Sequence, residues 1–197
     1  NPLPENRVGE IRIKGPSVMK GYWQDEEKTR ETFTGDYLKT GDLGFISGQH
    51  VYICGRSKEV VIINGRNYYP QDIEWEASKV DGVRRGNVIA FGAKDPTGRE
   101  QDRERVVCVF EVQDAKTAED PARIDALTIA VRKAVQDGMT LSLDDVVAVA
   151  PGVLPKTSSG KLQRTKTREL YENDELRARK GVRKEDKLEI VKQAAMS

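Results

Sequence analysis

The sequence has 197 residues, enough for one ordinary domain or for one domain and part of another. Its 33 Lys and Arg against 32 Asp and Glu leave a net charge of +1, so composition gives no reason to expect nucleic acid or an anionic membrane surface as a partner. The longest apolar runs, 106–110 and 146–150, are far too short to span a membrane, and Pro2, Pro4, Gly9, Gly15 and Pro16 break the opening segment, so neither a span nor a signal peptide is expected and the location reads as cytoplasmic.

Residues 8–14 alternate apolar and polar, the mark of a half-buried strand, and Gly15-Pro16-Ser17 stops it. Residues 19–23 form an aromatic turn, and Asp25 caps a helical turn over 25–29 with Glu26 and Glu27 at its positive end. Runs 43–46 and 51–54 pair as a hairpin across Ser47-Gly48-Gln49-His50. Gly55-Arg56-Ser57-Lys58 interrupts the pattern and is the expected domain boundary, giving parts 1–55 and 56–197. Then follow a strand over 59–63, an Asn64-Gly65 hairpin turn, and a helix over 70–80 opened by Pro70. Strands over 87–93 and 105–112 flank a polar loop at 94–102. Ile124, Leu127, Val131 and Val135 set a helix over 122–137 that ends at Gly138. A strand over 145–150, a loop over 151–160, and charged helices over 165–180 and 184–196 complete the chain. The second part is therefore read as α+β, with a sheet carrying its helices on one face.

Side-chain counts remove whole chemistries. Cys54 and Cys108 stand alone in apolar runs and no Cys-x-x-Cys exists, so both are expected as reduced core residues, with no disulfide scaffold or thiolate zinc site. His50 is the one histidine, placed at a hairpin tip, where it reads as a solvated turn residue; a Ser-His-Asp triad or a histidine metal site would have to rest on it alone. No metal ligands are assigned, and any chemistry falls to lysine, arginine and carboxylates.

Three segments could carry it. Pro155-Lys156-Thr157-Ser158-Ser159-Gly160-Lys161-Leu162-Gln163-Arg164 reads as a mobile loop with exposed amides, ending in Lys161, a point charge suited to a phosphate or carboxylate. It is not a Walker loop, because Pro155 stands where the first Gly belongs and Leu162 follows Lys161. A plain surface loop and an anion site both fit. Asp42, in Tyr37-Leu38-Lys39-Thr40-Gly41-Asp42-Leu43, fits a turn residue bonding its own backbone, or a carboxylate accepting from adjacent hydroxyls such as a ribose diol. Arg56 fits a solvated charge at a bulge or a placed guanidinium.

Taken together, these segments resemble the last core motifs of the adenylate-forming enzyme superfamily, which includes acyl-CoA synthetases, nonribosomal adenylation domains, luciferases and fatty acyl-AMP ligases. The matching stretches, in the family's order, are Gly9-Glu10-Ile11-Arg12-Ile13-Lys14-Gly15 with Gly21-Tyr22-Trp23, then 37–43, Gly55-Arg56-Ser57-Lys58-Glu59, and 155–164. Gly65-Arg66-Asn67-Tyr68-Tyr69-Pro70-Gln71-Asp72-Ile73-Glu74 resembles the fatty acyl-AMP ligase branch more than the CoA ligases.

The resemblance implies activation of a fatty acid with MgATP to an acyl-adenylate, release of pyrophosphate, and transfer to an acyl carrier protein. By residue, it implies that Asp42 binds the ribose hydroxyls of ATP and AMP, that Arg56 reaches the ribose or phosphate, and that Lys58 is the hinge about which a C-terminal lid rotates. Lys161 would be the catalytic lysine bridging the acid's carboxylate and the α-phosphate. The family's phosphate-binding loop and acyl pocket belong to a large N-terminal domain, which would also bind most of the Mg2+. The chain opens at Asn1 and contains neither feature. Residues 1–55 are thus expected to be the tail of that large domain and 56–197 the mobile lid, the whole acting with its own N-terminal domain and inactive without it. Residues 177–197 match no motif and read as a solvated basic helix or a linker toward a carrier domain. The alternatives are an acyl-CoA synthetase, with CoA as acceptor, or a stand-alone non-catalytic binding module; intact Asp42, Arg56 and Lys161 argue against the module.

Overall fold

The computed structural model describes residues 2–94 and 104–176. The chain divides into two compact units between Val60 and Val61. The expected helix over 184–196 and nearly all of the expected loop over 94–102 lie outside the described residues.

The first unit is built on one long strand. β1 (Gly9–Ile13), α1 (Glu26–Thr32), β2 (Phe33–Thr34), β3 (Tyr37–Ser47) and β4 (His50–Arg56) follow in order, then a short 3-10 turn over Ser57–Glu59. β3 pairs antiparallel with β1 along one edge, and with β2 and β4 along the other. The expected hairpin forms, with Ser47 opposite His50, and extends further than its apolar residues alone indicate. Asp25 caps α1, its carboxylate accepting the Lys28 N–H at 2.9 Å. Between Leu43 and Gly44 the register slips, so that Gly44 faces Ile53 while Leu43 faces Gly55. Cys54 is the extra residue of this bulge and is only half-buried, not a core residue as expected. A side chain could not replace Gly44, whose Cβ would lie 2.4 Å from the Tyr52 carbonyl oxygen.

The second unit begins with a small hairpin, β5 (Val61–Ile63) and β6 (Arg66–Tyr68), turned at Asn64 and Gly65, both at positive φ as the Asn-Gly pair predicts. The strand expected from residue 59 starts later, because Ser57–Glu59 winds into the 3-10 turn. α2 (Pro70–Ser78) leads into β7 (Val83–Lys94), β8 (Glu104–Val112), α3 (Ala115–Ala118), α4 (Pro121–Met139), β9 (Asp145–Val149) and α5 (Arg164–Glu172). β7 and β8 run antiparallel, β8 and β9 parallel, in the order β7-β8-β9, so the sheet is mixed and the unit is α+β.

Both faces of this sheet are buried. On one, Val106, Cys108, Phe110 and Val112 of β8 pack with Ile73 and Ala77 of α2 and Val131 and Val135 of α4. On the other, Val107 and Val109 pack with Leu154, with Leu170 of α5 and with Leu176. Helices therefore cover both faces rather than one. Buried residues on both sides of β8 need cover on both, and on the second it comes from Leu170 of α5 together with Val153, Leu154 and Leu176 outside that helix. α4 also runs past Gly138, to Met139, and is closed by Thr140 in the left-handed region at φ 54°. Met139 and Leu141, on either side of that cap, pack on the first core and carry the helix past the glycine.

Candidate functional site

Asp42 and Arg56 are direct partners across β3 and β4. Gly41 precedes Asp42 at φ 75°, a backbone that glycine adopts freely. The Thr40 hydroxyl accepts the Asp42 N–H at 3.0 Å and donates to the Ile11 carbonyl at 2.7 Å, fixing the backbone at this point. Arg56 Nε donates to Asp42 Oδ1 at 3.0 Å and Nη2 to the Thr40 carbonyl at 3.3 Å. Asp42 thus bonds the guanidinium of its cross-strand neighbour, and among the described residues its Oδ2 has no donor. A half-exposed carboxylate with one committed oxygen, beside a cation, can accept from a hydroxyl pair and tolerate a nearby phosphate. Lys58 is exposed within the 3-10 turn.

In the second unit the segment expected as a mobile loop with exposed amides is a small hairpin. Lys156 bridges Leu162, the Gln163 N–H donates to the Pro155 carbonyl at 3.0 Å, and the Thr157 N–H donates to the Lys161 carbonyl at 2.9 Å. The turn is closed by the Gly160 N–H on the Thr157 carbonyl at 2.9 Å and the Lys161 N–H on Thr157 Oγ1 at 3.1 Å. The hydroxyl- and glycine-rich composition serves the turn itself, with Gly160 at φ 83°. The amides of residues 157, 160 and 161 are therefore spent internally and cannot cradle a phosphate. What the hairpin presents is the exposed side chain of Lys161, which no described residue pairs.

Around this hairpin stand residues to which sequence reasoning gave no role. Glu111, wholly buried in β8, accepts the N–H groups of Gly152 at 2.8 Å and Leu154 at 3.1 Å on one oxygen, and Arg84 Nη1 at 2.7 Å on the other. Lys156 Nζ donates to Asn87 Oδ1 of β7 at 2.6 Å. Arg164, at the start of α5, donates from Nη2 to Glu74 Oε1 at 2.7 Å and from Nε to the Ala90 carbonyl at 2.9 Å. The same Glu74 oxygen accepts the Ala90 N–H at 2.9 Å. An acidic residue inside the apolar run of β8 was the available signal for Glu111, since a buried carboxylate needs donors.

Elsewhere, burial pushes the Cys108 thiol far up, helped by the Glu74 carboxylate, so it is an inert core residue as expected. Burial and the neighbouring Glu76 raise the Asp72 carboxyl. Among the described residues no group of three or more His, Cys, Asp or Glu could hold a metal ion, and no helix is long and apolar enough to cross a membrane.

Comparison with known proteins fits this layout. The family described as "Disco-interacting protein 2-like, AMP domain" matches residues 58–181. A protein of Mycobacterium leprae with the provisional name fatty-acid–CoA ligase fadD21 is 36% identical over 182 residues, covering 85% of this chain and 30% of its own. The medium-chain-fatty-acid–acyl-carrier-protein ligase JamA of Moorena producens is 38% identical over 171 residues, covering 83% of this chain and 28% of its own. A solved structure from a study of fatty acyl-adenylate ligases of E. coli and L. pneumophila superposes with a TM-score of 0.70 at 31% identity, over 88% of this chain and 29% of that one. The chain belongs to the Disco-interacting protein 2-like AMP-domain family. It spans less than a third of the length of the curated relatives it matches.

Proposed function

We propose that this chain is the C-terminal portion of a fatty acyl-AMP ligase, which joins a fatty acid to AMP at the expense of ATP and passes the acyl group to an acyl carrier protein. On this reading residues 1–55 are the tail of the large adenylation domain and 56–197 the rotating lid, with Lys58 at the hinge. Asp42 would accept from the ribose hydroxyls, with Arg56 beside it toward ribose or phosphate. Mg2+ would be held mainly by the large domain, and the enzyme would work in the cytoplasm.

The observation that carries the reading is Lys161: an exposed ammonium, unpaired among the described residues, on a hydrogen-bonded hairpin. In adenylation a carboxylate oxygen attacks the α-phosphorus, a new P–O bond forms, the bond to the β-phosphate oxygen breaks, and pyrophosphate leaves with the electron pair. Two anions must approach each other, so a positive charge held between them stabilises the transition state more than the separated reactants. A rigid carrier for that charge avoids reorganisation during the reaction. The names of the relatives favour acyl carrier protein or CoA as acceptor; the fatty acyl-AMP ligase reading takes the carrier protein.

The test is pyrophosphate exchange by the full-length protein with a panel of fatty acids, followed by acyl transfer offered in parallel to carrier protein and to CoA. Exchange with fatty acids and transfer to the carrier alone are expected. Transfer to CoA instead would identify an acyl-CoA synthetase, and absence of any exchange would leave a binding module. Lys161→Ala should lower exchange at least about a hundredfold without lowering the melting temperature. The isolated 197-residue chain should form no acyl-adenylate above a buffer control.

A further inference from the structure

The geometry points to Arg164 as the positioning residue for Lys161, an inference that rests on the catalytic reading of that lysine. Arg164 lies three residues beyond Lys161, where the second strand of the hairpin becomes α5. Its guanidinium is largely buried, the side chain 20% exposed, and Glu74 is equally sheltered at 18%. The fork engages two elements at once: Nη2 the Glu74 carboxylate on α2, and Nε the Ala90 carbonyl on β7. Glu74 in turn holds the N–H of the same Ala90, closing a three-member ring on one point of β7.

The other strand of the hairpin is anchored to the same element. Lys156 bonds Asn87, which is itself buried and braced by its own Nδ2 on the Arg85 carbonyl at 3.0 Å. Both feet of the hairpin thus stand on β7, at Asn87 and Ala90. Between the feet and Lys161 stand the cross-strand bonds of the hairpin and the packing of Leu162 on the second core, so a displacement of Arg164 passes along one short strand to the lysine. Lysine at position 164 would keep the charge but could not span both acceptors with a planar fork. Because catalysis depends on placing a group to within about 1 Å, loosening this foot should lower turnover rather than ground-state binding.

The experiment uses the full-length protein with Arg164→Lys, Arg164→Ala and Glu74→Gln, and Lys161→Ala as reference. Pyrophosphate exchange should fall at least about tenfold in kcat in each, with KM for ATP and acid changed by no more than about twofold. Transfer of the acyl group from supplied acyl-adenylate, a step that does not use Lys161, should persist. Hydrogen exchange at the Lys161 and Gln163 amides should quicken while the β8 amides stay protected. A general structural role for Arg164 would instead reduce both half-reactions together and open β8, which overturns the inference. So does an Arg164→Lys enzyme with wild-type adenylation when Lys161→Ala has lost it. If Lys161→Ala itself keeps full adenylation, the catalytic reading fails and the inference falls with it. Should Arg164→Ala not fold, the other two variants decide.

Discussion

Arg56 Nε lies 3.0 Å from Asp42 Oδ1, and the two residues face each other in the register of β3 and β4. Their side chains are 59% and 37% exposed, so the ion pair adds only about 0.2–1 kcal/mol to the fold. Asp42→Ala should therefore barely move the melting temperature. Nucleotide affinity should suffer much more, because a hydrogen bond to a charged acceptor contributes about 1.5–3 kcal/mol, roughly ten- to a hundredfold in affinity. Titration calorimetry of ATP into the full-length protein measures this, and unchanged affinity would leave Asp42 a strand-pairing residue alone.

Lys58 lies in a 3-10 turn of three residues. A turn this short makes little use of the N–H that proline lacks, so Lys58→Pro should fold. Proline fixes φ near −65°, about where a 3-10 turn needs it, and resists rotation away from that value. Adenylation should survive and acyl transfer should fail, since a rotating lid needs the hinge to change its dihedrals between the two steps. Both half-reactions assayed on one folded variant give the answer. Equal losses in both, or none in either, would remove the hinge assignment.

Glu111 holds the chain at Gly152 and Leu154 from inside the sheet. Removing the carboxylate leaves two sheltered N–H groups without an acceptor, at about 1–3 kcal/mol apiece, while Arg84 is exposed enough to turn to water. Glu111→Ala should lower the unfolding free energy by several kcal/mol in chemical denaturation. Glu111→Gln keeps an oxygen for the two amides and should recover most of the loss. If alanine and glutamine were equally damaging, the charge toward Arg84 would be the dominant interaction instead.

Asp114 caps α3, accepting the Thr117 N–H at 2.9 Å and the Thr117 hydroxyl at 3.1 Å. The Thr117 backbone bond, followed by its hydroxyl, holds the carboxyl below its ordinary range. A carboxyl lowered in the folded state contributes stability that is fully present above the unfolded value of about 3.9 and is lost as pH falls through the lower folded value. The gap in melting temperature between wild type and Asp114→Ala should be constant near neutrality and narrow on acidification below about pH 3.9. A gap independent of pH down to full protonation would mean that the ionised form contributes nothing.

Much of this architecture is legible in the chain, and what is not has identifiable causes. The hairpin at 47–50, the Asn64-Gly65 turn, the Asp25 cap and the helix opened by Pro70 follow from local chemistry, and all are present. The burial of both faces of β8 was also legible, because Val106 to Phe110 is apolar at every position rather than every second one. The cover on the second face is less legible, since α5 offers few apolar residues and shares the covering with Val153 and Leu154 of the preceding loop and Leu176 beyond the helix. The hairpin of Lys161 was hidden because Thr, Ser and Gly suit flexible loops and tight turns alike; the bonds of Thr157 and the pairing of 155–156 with 162–163 distinguish them. Asp42 and Arg56 were visible as residues, but their mutual bond depends on a register set by the bulge at Cys54. Contacts such as Glu74 with Arg164, far apart in sequence, have no local signature at all.

Ala90 lies on an outer strand of the second unit's sheet, and both of its backbone polar groups are taken by side chains, the N–H by Glu74 and the carbonyl by Arg164. A bare sheet edge is a template on which a strand from another molecule can grow. Here a carboxylate and a guanidinium stand where that visiting strand would place its own carbonyl and amide. They imitate a neighbour that never arrives, and an intruding peptide would have to break a sheltered ion pair before making its first bond at this point. The contact that anchors the lysine hairpin therefore also closes this point of the sheet edge to strand pairing.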